Sequence, residues 1–306
     1  MFNLENPYKK PESRDPEGYP QLSTALEMSD DIFKDAIPYD IFIKTNDPDS
    51  GPYDKARIER DQAYVTKLKQ KFEDANNGKI KQSFGWETHQ KVGKVFEAMV
   101  LDGIDMNAWF GENAQVIIPT AFDDIVNGVD GVVEFEDEKN FVAHLALGFD
   151  VATSIEGINK KLERTKQNID AGHLTKMDYF YSESQDFKGQ KSNIPRVILI
   201  ADRKTIRDIM DLWVERKNKT LATHHIQIQL LEESLLQLES FQKYAEVIGK
   251  DKLVDIYKKN IDLLSSILND KKELIGKKQY QKLMEEVQKD IGYQALQRNI
   301  NKLFNE

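Results

Sequence analysis

The chain has 306 residues, 40% of them apolar, enough to bury the core of one large domain or two ordinary ones. Its net charge of −9 argues against a protein that coats nucleic acid nonspecifically, because that affinity comes from neutralising phosphates with Lys and Arg. The absence of cysteine excludes disulfides and thiolate metal sites.

No apolar run approaches the roughly 20 residues of a membrane span. The opening stretch "MFNLENPYKKPESRDPEG" lacks the apolar centre of a signal peptide. Both features predict a cytoplasmic chain without a membrane partner.

Seven of the nine prolines fall in residues 1–52, interleaved with Gly, Asp, Ser and Asn, which predicts an extended N-terminal arm. Within it, "STALEMSDDIFKDAI" has the pattern of a short helix. Residues 53–76 are charged, with sparse apolar residues at helical spacing and Gly78 as a stop. In the next segment Val92, Val95, Phe96, Met99 and Val100 form a core-facing helical stripe.

From about Ala114 to Ala201 the period changes to two. "AQVIIP", "GVDGVVEFE", "FVAHLALGFDVA", "MDYFYSE" and "IPRVILIAD" read as five strands. One helix interrupts them, opened by Thr153 with Glu156 three residues on and closed by Gly172. The expected fold is α/β, with a mixed central sheet flanked by helices over residues 53–202.

Residues 203–306 carry only helical stripes. Leu230, Leu231, Leu235, Leu238, Phe241 and Ala245 form one; Leu253, Ile256, Ile261, Leu264, Ile267 and Leu268 form a second; Leu283, Met284, Val287, Ile291 and Leu296 mark one or two more. They predict an all-helical C-terminal extension.

The charge is uneven: residues 1–200 hold 24 basic and 35 acidic side chains, and the remainder 19 and 17. The acid excess falls with the strands. Two aspartates stand at strand ends, Asp130 and Asp150, and a hairpin through "EDEKN" sets them at neighbouring strand positions. Carboxylates held that close repel, and a proton or a Mg²⁺ or Mn²⁺ ion with oxygen ligands at about 2.0 to 2.2 Å relieves the strain.

This pattern resembles the PD-(D/E)XK nuclease superfamily, whose core runs helix, three strands, helix, strand. The resemblance covers about residues 85–202. It implies a restriction-endonuclease-like core and a divalent-metal-dependent endonuclease or exonuclease acting on nucleic acid, DNA by analogy. Asp130 takes the place of the first motif aspartate and Asp150 that of the acid in the (D/E)XK element. "GKVFE" in the first helix makes Glu97 a further metal or water ligand.

The motif lysine is absent, and Ala152 stands in its place. Some members supply the ammonium from the following helix. There Lys161 falls about 80° and Lys166 about 60° from the centre of the buried stripe, with Lys160 nearly opposite. Lys161, one turn nearer the helix start, is the preferred substitute.

Other candidates have plainer readings. Asp123 and Asp124 compete with Asp130 as first ligand. Glu134, Glu136, Asp137 and Glu138 read as a solvated turn, and His144 as a packed, hydrogen-bonded core residue. His224 and His225 diverge on a helix and form no zinc site. "DYFYSE" reads as strand packing, with base stacking as the alternative. A second function remains in view: a noncatalytic protein that keeps the core and binds a partner helix, or a second copy of itself, through its C-terminal helices.

Overall fold

The computed structural model describes residues 18–80, 86–136, 142–151 and 155–305; the side chains of 75–80, 86, 142, 146–151, 155 and 156 lie outside the description. Helix α1 (Leu22–Ile32) leads through 3-10 turns at Phe33–Asp35 and Tyr39–Phe42 to α2 (Lys55–Ile80) and α3 (Trp86–Asn107). Strand β1 (Ala114–Ile117), a π-turn at Asp123–Asn127, β2 (Gly131–Glu136), β3 (Val142–Val151) and α4 (Ile155–Asp170) follow. Then come β4 (Thr175–Ser182), β5 (Phe187–Ile194) and β6 (Arg196–Ala201). The chain finishes with α5 (Arg203–Val214), α6 (Asn218–Leu221), α7 (Ile226–Val247), α8 (Asp251–Ile275), α9 (Lys277–Lys289) and α10 (Ile291–Ile300).

The protein is mixed α/β. Its main sheet has the order β1-β2-β3-β6. The first three strands are antiparallel, with Val133 opposite both Val116 and Leu145, while β6 runs parallel to β3 with Phe149 opposite Leu199. A parallel neighbour needs a long crossover, which α4 and the β4–β5 ribbon supply. The stripe read in α3 is buried at Val92, Val95, Phe96, Met99 and Val100, and it lies against the sheet. The approach is close: a Cβ on Gly131 would come within 2.7 Å of the Leu101 side chain.

Strand β6 ends the sheet, yet all six of its residues are buried. An open edge exposes unpaired N–H and C=O groups; here α7 covers it with polar side chains one turn apart. The Ile198 N–H donates to Gln237 Oε1 at 2.9 Å, and Gln237 Nε2 donates to the Ile198 carbonyl at 2.9 Å. The Ile200 N–H donates to Glu233 Oε2 at 3.0 Å, and Gln229 Nε2 donates to the Ile200 carbonyl at 2.9 Å. The helix thus acts as a surrogate strand.

Several expectations change. The segment before residue 52 is no arm throughout: Leu22 and Ala25 of α1 are buried in the core shared with α3. Helix α2 runs through Gly78 to Ile80, so the glycine does not stop it. "FKGQKSNI" forms β5, missed because it lacks apolar alternation; β4 and β5 make a separate two-stranded ribbon. One apolar core extends across residue 202, joining Ile198 and Ile200 to Leu230, Leu264 and Leu296, so the C-terminal helices pack as part of the α/β unit.

The aromatic stretch in β4 is packing. Tyr179 lies within ring-contact distance of Tyr39, Phe42, Tyr53 and Phe122, and its hydroxyl donates to Asp61 at 2.6 Å. Glu134 is not a solvated turn residue. It is 4% exposed, faces His144 at 2.8 Å, and accepts from Ser182 at 3.0 Å and Ser184 at 2.6 Å. His144 is the packed, hydrogen-bonded residue its position suggested, 7% exposed.

Candidate functional site

A pocket of about 400 Å³ opens where α2, α3, the turn after α1 and the loop between β1 and β2 meet. Glu97 and Lys94 come from α3, Lys69 from α2, Asp124 from the π-turn, and Asp130 from the residue before β2. Phe33, Ala36, Ile118, Pro119 and Ala121 complete the wall. Lys94 and Glu97 are three residues apart and so share a helix face.

Three carboxylates in one recess disfavour simultaneous ionisation. Burial, then the charges of Asp130 and Asp124, raise Glu97 to about 9, against lowering by Lys161 and Lys94. Asp124 is raised to about 7 by loss of surrounding water and by Asp130, with Lys69 opposing. Asp124 as a residue stays exposed to solvent.

Of the four residues proposed from sequence, Glu97 and Asp130 line this pocket. Lys161 of α4 is half-buried, and its charge acts on Glu97. Lys160 is exposed. Lys166 is committed elsewhere: its ammonium donates to the Leu303 carbonyl at 2.8 Å and sits over the Tyr244 ring at 4.8 Å.

The Asp150 backbone pairs with Ile200 of β6, near the carboxyl end of β3. Gly131 pairs with Leu147 in the antiparallel β2–β3 ladder, so Asp130 just before β2 and Asp150 three residues beyond Leu147 lie at one end of the sheet. The Asp150 side chain and residues 152–154, hence Ala152 and Thr153, lie outside the described residues.

Asp123 and Asp124 separate into different jobs. Asp123 is fully buried and accepts from the backbone N–H groups of Asp178 at 2.7 Å and Tyr179 at 2.9 Å, tying the π-turn to β4. Asp124 faces the pocket. His224 and His225 sit with ring centres 4.2 Å apart, and burial lowers His224 to about 3, a packed neutral pair.

Sequence reasoning missed Lys69, Lys94 and Arg196. Lys94 was legible as the i−3 neighbour of Glu97; Lys69 carried no signal. Arg196 opens β6, is 8% exposed, and has no hydrogen-bond partner at Nε among the described residues; burial lowers its pKa while the charge of Asp130 opposes. Beside it, Arg164 Nη1 lies 2.8 Å from where a Cβ on Gly128 would stand. A positive φ of 68° at Gly128 also requires glycine there.

Among the described residues no group of three or more His, Asp or Glu side chains has a geometry that holds a metal ion, and no helix is long and apolar enough to cross a membrane. No family model, curated protein or solved structure matches this chain.

Proposed function

We propose that this chain is a divalent-metal-dependent nuclease, with a core related to PD-(D/E)XK nucleases, that hydrolyses phosphodiester bonds in DNA. The observation that carries the reading is the convergence of Glu97, Asp124 and Asp130 from three separate elements on one pocket, beside Lys69 and Lys94. The order α3, β1, β2, β3, α4 and, after the β4–β5 ribbon, β6, with three antiparallel strands and a fourth parallel to the third, supports it.

The chemistry of the pocket fits Mg²⁺ or Mn²⁺. Carboxylates crowded in one recess, one of them raised to about 9 by burial and then by the charges of Asp130 and Asp124, are oxygen donors whose strain a hard cation relieves. Asp130 and Glu97 would hold the ion, with water as its remaining oxygen ligands. When bound, such an ion supplies Lewis acidity and an acidified water.

The chain's own residues position the substrate. Lys69 and Lys94 offset phosphate charge at the mouth. Lys161 holds the attacking water and balances the negative charge that develops on the phosphoryl oxygens. The water oxygen bonds to phosphorus and gives up a proton, the bond from phosphorus to the departing sugar oxygen breaks, and that oxygen takes up a proton.

The noncatalytic alternative takes the C-terminal helices as its binding surface; among them, the stripe from Leu230 to Ala245 is buried within the protein. Incubating the protein with labelled DNA and RNA, with Mg²⁺ or Mn²⁺ and then with chelator, tests the reading. Metal-dependent cleavage that Asp130→Ala abolishes supports it; intact substrate under every condition overturns it.

A further inference from the structure

The pocket is asymmetric. Its lining is part charged, with Glu97, Asp124 and Asp130, and part apolar, with Phe33, Ile118 and Pro119. Phe33 is half-buried, and the Lys94 ammonium lies 5.6 Å from its ring centre. At the mouth, Lys69 is exposed and makes no ion pair or hydrogen bond among the described residues. Lys94 pairs with Asp30, an exposed partner it can exchange for a phosphate at little cost.

From this arrangement we infer that the pocket receives a single unpaired nucleotide, its base against Phe33 and its phosphate between the acidic wall and the two lysines. This rests on the nuclease reading and deepens it by naming the substrate class: unpaired strands rather than intact duplex.

The physical argument is one of size and surface. A recess of about 400 Å³ matches a small-molecule-sized group. A base within a duplex is stacked on both faces and paired along its edge, so extruding it costs its stacking and pairing, whereas an unpaired base offers a free face to an aromatic ring. A site built only to grip duplex backbone has no use for an aromatic ring and apolar side chains in the same recess as its carboxylates. The lysines supply the charge that an anionic strand requires of a chain with net charge −9.

Two measurements on the full chain test this. In the first, 2-aminopurine is placed in a single-stranded oligonucleotide and in the matching blunt duplex, with Ca²⁺ replacing Mg²⁺ so that binding is read without cleavage. The single strand is expected to bind with altered 2-aminopurine fluorescence as the base stacks. Phe33→Leu, which keeps an apolar side chain, should lose that signal, and Phe33→Tyr should restore it. Lys69→Glu, at an exposed position, should weaken single-strand binding at least tenfold.

In the second, cleavage with Mg²⁺ should favour the single strand at least tenfold over the duplex. Equal cleavage of the duplex, with no change in Phe33→Leu, overturns the inference while leaving a nuclease. A stacking signal lost in Phe33→Leu, but without cleavage of any substrate, supports the pocket assignment and removes the nuclease reading. No binding of the single strand overturns the assignment.

Discussion

Glu97 and Asp130 line one pocket from a helix and from the threshold of a strand, and after burial the charge of Asp130 is the strongest influence raising the glutamate, to about 9. A carboxyl group with a raised folded pKa keeps a proton that the unfolded chain releases near 4.5. Stability is then lost as pH rises across that window, from about 4.5 to about 9. Glu97→Gln removes the loss. Thermal unfolding should match wild type at pH 4 and show a Tm higher by roughly 2 °C or more at pH 8; equal curves at pH 8 would mean the two carboxylates do not strain each other.

Divalent metal should relieve the same strain. Mn²⁺ added at pH 8 is expected to raise the wild-type Tm in a concentration-dependent way, since a ligand that binds only the folded state stabilises it. Asp130→Asn should respond weakly. A similar rise in both would place the ion elsewhere.

The two helix-borne lysines should separate by assay. Lys161→Ala is expected to lower kcat by about 10²-fold, the scale of a lost proton-handling or charge-balancing group, while leaving single-strand affinity near wild type. Lys166→Ala should spare kcat and lower stability, because it removes the bond to the Leu303 carbonyl and the contact with Tyr244. The reverse pattern would reassign the catalytic ammonium.

Gln237 closes the open side of the sheet by bonding both the N–H and the carbonyl of Ile198. Gln237→Ala leaves two buried backbone groups unpaired, each worth about 1–3 kcal/mol. Urea unfolding should show a loss of about 2–6 kcal/mol. A loss under about 0.5 kcal/mol, the scale of an ordinary surface change, would mean that the helix merely covers the edge.

Burial by itself would raise Glu134, but hydrogen bonds from His144, Ser184 and Ser182 prevail and bring it down to about 2. A depressed acid stabilises the fold above its unfolded value near 4.5, and that contribution fades as pH falls toward 2. Glu134→Gln should therefore be less stable than wild type at pH 6 and converge with it near pH 2. A gap that persists at pH 2 would assign the effect to packing instead of charge.

The apolar periodicities were legible before any tertiary contact was known: the stripe of α3, the β2–β3 hairpin and the leucines of α7 all rest on side-chain spacing that local chain geometry imposes. Glu97 and Asp130, which line the pocket, were also picked out from the sequence, one on the first core helix and the other at the threshold of a strand.

What spacing cannot encode is distance across the fold. Only the packing of α2 beside the π-turn and of α1 against α3 brings Lys69 and Phe33 to the acids, and only burial distinguishes Glu134 from a surface charge or Asp123 from Asp124. The edge-capping residues Gln229, Glu233 and Gln237 look like a solvated face in sequence. Their partners are backbone groups of β6, about thirty to forty residues away, and a hydrogen bond to a main chain leaves no pattern in the residues that receive it.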